Sequence, residues 1–231
     1  MDAPGSLQAH YDAMLARSID AIRAGDLELD SHLLAGADPR RGLTLIARPD
    51  AALAVRLAAV LDMLETIAPG QYRHPQSDLH ITILALFTAC EDYHAELARL
   101  PDYRAAAHAA LAGMPAFDIE LRGITASSGA VLAQGFPGDG TLTLARERLR
   151  AQLRARGLDA SLDGRYKLVT AHVTLLRFVR PLPDPARFVD ALKALRTKPL
   201  GTLRVHGVDL VQNDWTMRSE TLRRIETFAL D

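Results

Sequence analysis

The sequence predicts an α+β domain, and three observations point there. Short apolar runs of strand length alternate with stretches of helical amphipathic spacing. The order outer strand, helix, apolar strand occurs twice. No Ser/Gly-rich or proline-rich tract separates independent units. With 231 residues, 48% of them hydrophobic and 24% charged, the chain suffices for one compact body with a sizeable core.

Residues 7–24 space Leu7, Tyr11, Leu15, Ile19 and Ile22 as an amphipathic helix that Gly25-Asp26 stops. Residues 1–40 are expected to form a helical extension ahead of a main domain over 41–231. Gly42 to Ala47 predicts a short buried strand closed by Pro49. Asp50 offers a side-chain cap to a helix through Leu53, Leu57, Val60, Leu61 and Leu64, which ends before Pro69-Gly70. A strand from Leu79 to Phe87 follows, then a helix over about 92–111 with a break at Pro101, and a strand from Phe117 to Ala126. Ser127-Ser128-Gly129 turns the chain back into Val131-Leu132-Ala133, a hairpin signal.

Residues 141–156 predict a helix with Leu142, Leu149 and Leu153 on its apolar side. Arg146, Arg148, Arg150, Arg154 and Arg156 are assigned to its solvated face, with an RNA-facing ridge as the alternative. A strand from Leu168 to Phe178 comes next, then a helix from about Ala186 to Leu195. The last strands run from Leu203 to Val211, with a bulge expected at Gly207, and from Thr221 to Phe228. Between them, Trp215 is assigned to a turn that packs on a lobe, with ligand stacking as the alternative.

The formal net charge of −1 supplies no general positive field for long nucleic acid, so DNA is not an expected partner. The single cysteine, Cys90, has no partner for an intramolecular disulfide and is expected to be a buried thiol. The start Met1-Asp2-Ala3-Pro4-Gly5 lacks the basic-then-apolar pattern of an export signal, and no apolar stretch of about 18 residues occurs. A cytoplasmic monomer with no membrane contact is the expectation. His10, His32, His94 and His108 lack ligand spacing, so neither a metal nor another cofactor is expected.

Two segments carry chemistry: His80-Ile81-Thr82 and His172-Val173-Thr174. Side chains alternate along a strand, so His80 and Thr82 share one face, as do His172 and Thr174. Their neighbours Ile81, Ile83, Leu84, Val173, Leu175 and Leu176 are apolar, which places both motifs on central strands. Imidazole titrates near neutrality, so two histidines divide the proton removal and proton donation that phosphodiester cleavage needs. A threonine hydroxyl beside each supplies a donor to phosphoryl oxygens. With eight histidines and fourteen threonines in the chain, accident supplies about half of one His-x-Thr match. Two matches in equivalent places of two similarly ordered halves outweigh the alternative of two satisfied core histidines.

These residues resemble the two-histidine phosphoesterase superfamily, the group containing the bacterial RNA 2′,3′-cyclic phosphodiesterases once described as 2′-5′ RNA ligases. Leu43 to Ala47 is similar to the family's opening strand, Leu79 to Ile83 to its first motif and Ala171 to Leu175 to its second. The resemblance implies a two-lobed fold, mostly antiparallel sheets lining a central cleft with helices outside. It implies metal-independent hydrolysis of a 2′,3′-cyclic phosphate or related phosphodiester of a nucleotide or RNA end. His80 and His172 would be the acid/base pair, and Thr82 and Thr174 would hold phosphoryl oxygens. Arg177 matches a basic residue often found five places after the second histidine. On strict alternation it points away from His172, so it reaches the site only through a twist or bulge. Tyr72 and His74, in a proline-containing loop before the first motif, and Tyr166 and Lys167, before the second, are candidate substrate contacts, with a solvent-exposed loop the favoured alternative for the first two. The alternative functions are a non-catalytic nucleotide-binding module and a sugar mutarotase-like enzyme, which also needs an acid/base pair.

Overall fold

A computed structural model describes residues 4–35, 38–164 and 167–231. Among these, the elements run α1 (Pro4–Ala24), α2 (Ser31–Ala35), β1 (Arg41–Ala47), α3 (Ala51–Glu65), β2 (Tyr72–Arg73), β3 (Ile81–Cys90), α4 (His94–Ala98) and α5 (Leu100–Leu111). There follow β4 (Phe117–Ala126), β5 (Ala130–Pro137), α6 (Thr141–Ala155), β6 (Val173–Arg177), α7 (Pro185–Ala194), β7 (Pro199–Val205), β8 (Gly207–Asn213) and β9 (Arg223–Ala229). None of the helices is long and apolar enough to cross a membrane.

Local chemistry explains most of these boundaries. The Asp50 carboxylate accepts from Leu53 N–H at 2.7 Å and caps α3, which then buries Leu53, Leu57, Val60, Leu61 and Leu64. The helix expected over 92–111 breaks at Arg99, and Pro101 lies in the first turn of α5, where its missing N–H costs nothing. Cys90 ends β3 half-buried rather than buried.

All strand pairs are antiparallel, in the order β7-β4-β5-β6-β3-β1-β8-β9, with β2 added to β6. Two four-stranded arms are visible in this order, and a single bridge, Ile81↔Val173, joins them. The run 203–211, expected to be one strand, is instead two. The chain leaves β7 at Val205, passes the exposed His206, and enters β8 at Gly207. Strand β7 pairs with β4 in one arm and β8 with β1 in the other. One residue separates them, so the far ends of the arms must approach each other, and the sheet curls into a half-barrel with the helices outside.

The equivalent units β1-α3-β3 and β5-α6-β6 share an irregularity. Opposite β1 the register passes from Leu45↔Leu84 to Ile46↔Thr82, leaving Ile83 unmatched. Opposite β5 it passes from Val131↔Leu176 to Leu132↔Thr174, leaving Leu175 unmatched. Each strand therefore bulges one residue after its motif threonine, which resets the alternation. Thr82 and Ala85 now share a face, as do Thr174 and Arg177, while the apolar pairs between them are buried.

On helix α6 Arg148 and Arg154 are exposed, as expected of a solvated face, but two of the five arginines depart from that expectation. Arg146 and Arg150 are 4% and 5% exposed and lie on the same side as Leu142, Leu149 and Leu153. Arg150 is held by the Asp163 carboxylate at 2.7 and 3.0 Å. Helix α1 buries Tyr11, Leu15 and Ile22 and packs on β4, β5 and α7.

Candidate active site

The bridge between the arms builds the site. Antiparallel pairing of Ile81 with Val173 sets His80 opposite Thr174 and Thr82 opposite His172. Ile81 and Val173 point into the core and are fully buried. The four motif side chains project the other way and line one cleft of about 230 Å³. Both histidines sit one residue before the strand that follows them, the second motif strand being shorter than the expected 168–178.

Because the histidines lie outside the sheet ladder, side chains hold the backbone around them. Buried Arg146 donates to Ile83 O (2.8 Å), Thr82 O (3.0 Å) and Thr170 O (2.8 Å), clamping the first motif to the approach of the second. The Tyr11 hydroxyl accepts from Ala171 N–H at 3.1 Å and donates to Gly135 O at 3.1 Å. Gly135 is required here, because a Cβ at that position would stand 1.8 Å from Ala171 O.

Each imidazole uses Nδ1 away from the cleft, which leaves Nε2 for a ligand. His80 Nδ1 lies 2.6 Å from Asp78 O, a group that only accepts, so Nδ1 carries the hydrogen and the neutral ring presents a bare Nε2. His172 Nδ1 lies 2.8 Å from Thr170 Oγ1, a hydroxyl that donates or accepts and so suits either tautomer.

Though each ring keeps some surface toward the cleft, burial in the fold dominates its titration. It lowers His80 to about 4, with the Asp78 hydrogen bond opposing and Arg48 and Arg177 assisting. It likewise lowers His172 to about 4, with His80, Arg146 and Arg177 adding to the effect. His74, 3% exposed, is lowered to about 3 by burial and then by Arg177 and His80. All three rings are therefore neutral at pH 7. A histidine whose folded value lies below its unfolded value near 6.5 stabilises the fold above that value. The contribution is lost as pH falls through the folded value. Thermal melts are expected to show a falling Tm between about pH 6.5 and 4; a flat Tm across that window would contradict these environments.

The bulge at Leu175 brings Arg177 onto the cleft face beside Thr174, meeting the condition that strict alternation denied it. Its counterpart in the first motif is Ala85, which also lines the cleft. The cleft is thus symmetric in His and Thr and asymmetric in charge. His74 lines it as well. Tyr72 stands edge-on against His74, with ring centroids 5.1 Å apart, and does not itself line the cleft. Lys167 is exposed next to Leu168, which does line it. Tyr166 lies outside the described residues.

The turn after β8 contributes more than its sequence suggests. Asp214 is fully buried and accepts from Thr216 N–H (2.9 Å), Arg218 Nε (2.8 Å) and Thr221 Oγ1 (2.8 Å). This organises a loop that carries Trp215, Thr216 and Met217 to the cleft wall. Trp215, assigned from sequence to packing on the body of the fold, stands instead in that wall with the Arg40 guanidinium 4.7 Å over its ring. Asn213 and Thr44, neither of them singled out from sequence, complete this side. Among the described residues no three His, Cys, Asp or Glu side chains converge to hold a metal ion.

The model of the 2′-5′ RNA ligase superfamily matches residues 49–214. No curated protein sequence matches the chain. Among solved structures, TT0787 of Thermus thermophilus is 24% identical, over 83% of this chain and 97% of its own, with a TM-score of 0.57. LigT of E. coli, in a structure complexed with 3′-AMP, is 16% identical, over 84% of this chain and 99% of its own, with a TM-score of 0.53. These likenesses show a shared fold.

Proposed function

Because this chain belongs to the 2′-5′ RNA ligase superfamily of two-histidine phosphoesterases, we propose that it is a metal-independent phosphodiesterase acting on a 2′,3′-cyclic phosphate or related phosphodiester of a nucleotide or RNA end. The observation that carries this reading is the Ile81↔Val173 bridge, which places His80, Thr82, His172 and Thr174 on one face around one cleft. That E. coli LigT is found complexed with 3′-AMP and with ATP supports a nucleotide as the ligand class.

In the proposed reaction the phosphoryl group lies between the two imidazoles, and Thr82, Thr174 and Arg177 donate to its non-bridging oxygens as negative charge builds there. Water is the nucleophile. One imidazole takes its proton at Nε2 as the new P–O bond forms; the other gives a proton to the ribose oxygen as the old P–O bond breaks. The product is a phosphomonoester with a free neighbouring hydroxyl. His80 suits the base role, since its Nδ1–H to the Asp78 carbonyl fixes the tautomer with a bare Nε2.

Hydrolysis of a panel of nucleoside 2′,3′-cyclic phosphates in the presence of EDTA tests this reading. Turnover to a monoester is expected, with a bell-shaped pH dependence. The acid partner must hold its proton, and its value in the empty cleft is lowered, so kcat/KM is expected to peak on the acid side of neutrality and fall as pH rises. The negative charge of a bound phosphodiester favours imidazolium, so the kcat optimum should lie higher than that of kcat/KM. Absence of turnover across the panel, or loss of it on adding EDTA, contradicts the proposal.

A further inference from the structure

A second cavity, of about 510 Å³, opens beside the first. Trp215 stands between the two, and His172, Thr174 and Arg177 line both. The outer wall of the second cavity is built by the segment between α1 and α2 and by the β4–β5 turn. Backbone bonds seat that segment: Glu28 N–H donates to Ser128 O at 3.0 Å and Asp30 N–H to Phe178 O at 2.8 Å. The family match begins at residue 49, so half of this wall lies outside the matched region.

We propose that this second cavity binds a nucleoside joined to the far side of the scissile phosphate, one whose outer end carries a hydroxyl and no further phosphate. The proposal rests on the phosphodiesterase reading and names the substrate more closely: a diester with a nucleoside on each side. A phosphoryl group held by His172, Thr174 and Arg177 is open to both cavities, because those residues face both. The volume lies within the roughly 300–1,000 Å³ of clefts that take small molecules. Arg40, its fork held by Asp38 at 2.9 and 2.7 Å, lies over Trp215 as an aromatic–guanidinium platform of the kind on which bases stack. Glu28 and Asp30 also line the cavity, with His32 and Ser128; Asp30 Oδ1 accepts from His32 N–H at 3.1 Å. Carboxylates accept hydrogen bonds from sugar hydroxyls and exocyclic amines, and they repel a second phosphate.

Binding measured by calorimetry tests the proposal, using the full chain carrying His80→Ala so that bound diester stays intact. Adenosine 3′-methyl phosphate and adenylyl-(3′→5′)-adenosine share one phosphodiester and differ in whether a methyl or a second nucleoside follows it. The dinucleoside is expected to bind about 10-fold or more tightly, and adding Ser128→Trp, which fills the cavity, should cut that gain to about 2-fold or less. A terminal 3′-phosphate on the dinucleoside should weaken binding about 10-fold, and Glu28→Gln with Asp30→Asn should remove the penalty while keeping hydrogen-bond capacity. Equal affinity for the two diesters, a gain untouched by Ser128→Trp, or tighter binding with the terminal phosphate would each overturn the proposal. If neither diester binds, the phosphodiesterase reading falls with it. If the gain is present while the intact protein hydrolyses nothing, the subsite stands and the hydrolase reading alone falls.

Discussion

Replacing His80 or His172 by alanine is expected to lower kcat/KM for a phosphodiester substrate by about 100-fold or more, since each removes one partner of an acid/base pair. The two losses should not add. Once one imidazole is gone, proton removal and proton donation are no longer coupled through the cleft, and the double variant should lose little beyond the worse single one. Neither substitution touches the clamp from Arg146 or the Tyr11 hydroxyl, so the fold is expected to persist and near-native melting to accompany the lost activity. His80→Ala should remove the effect of that ring on its neighbour, raising the titration of His172. Steady-state kinetics with a melting curve for each variant checks all of this. Equal rates in the single variants and the intact protein would sink the catalytic assignment.

The second large effect concerns stability. Asp214→Ala is expected to cost about 3 kcal/mol, because it removes at once a fully buried acceptor of the Arg218 guanidinium and of the Thr216 and Thr221 donors. Burial alone would raise the Asp214 carboxyl; hydrogen bonds from Arg218 and Thr221 and the Arg218 charge overcome this and hold it below the ordinary range. A carboxylate so depressed stabilises the fold above its unfolded value near 3.9 and loses that contribution as pH falls through the folded value. Urea denaturation at pH 7 reads the loss directly. Because the loop carries Trp215 and Met217 into the cleft wall, binding should suffer even at temperatures where the variant is folded. A loss under about 1 kcal/mol would contradict the account of this loop.

What could be read from sequence followed from whether the cause was local. The strand Phe117–Ala126, the Asp50 cap and the hairpin after Ser127 all rest on residues near one another in the chain, and they lie where expected. The paired His-x-Thr signals were legible for the same reason: alternation puts His and Thr on one face with no knowledge of the partner strand. The bulges at Ile83 and Leu175 were not, since an uninterrupted apolar run looks the same with and without an unmatched residue. For that reason Arg177 could be named while its face could not. The split of 203–211 was hidden likewise, because pairing with β4 and with β1 is settled by distant segments. A signal for Arg146 did exist. Leu142, Arg146, Leu149, Arg150 and Leu153 recur at helical spacing on one face, and arginines inside an apolar stripe point to buried acceptors.

The asymmetry between the halves bears on mechanism. Ala85 and Arg177 occupy equivalent places after their motifs, so of these two positions only the one on the second-motif side carries a positive charge. In the proposed reaction a phosphoryl group drawn toward Arg177 would approach His172 and Thr174, and His80 would face the attacking water. Arg177 would thereby orient the substrate within a pair otherwise alike in His and Thr, and the cavity lined by these same residues continues on that side.

The most direct test of the central claim, that two imidazoles share the acid and base work on one phosphoryl group, is 15N NMR of the histidine-labelled protein at pH 7 with and without inorganic phosphate. In the free protein His80 and His172 should both be neutral, His80 as the Nδ1–H tautomer. With phosphate bound, one of the two should become imidazolium while the other stays neutral. If both rings keep their free-state signals at saturating phosphate, or both are already charged without it, the two-histidine account is contradicted.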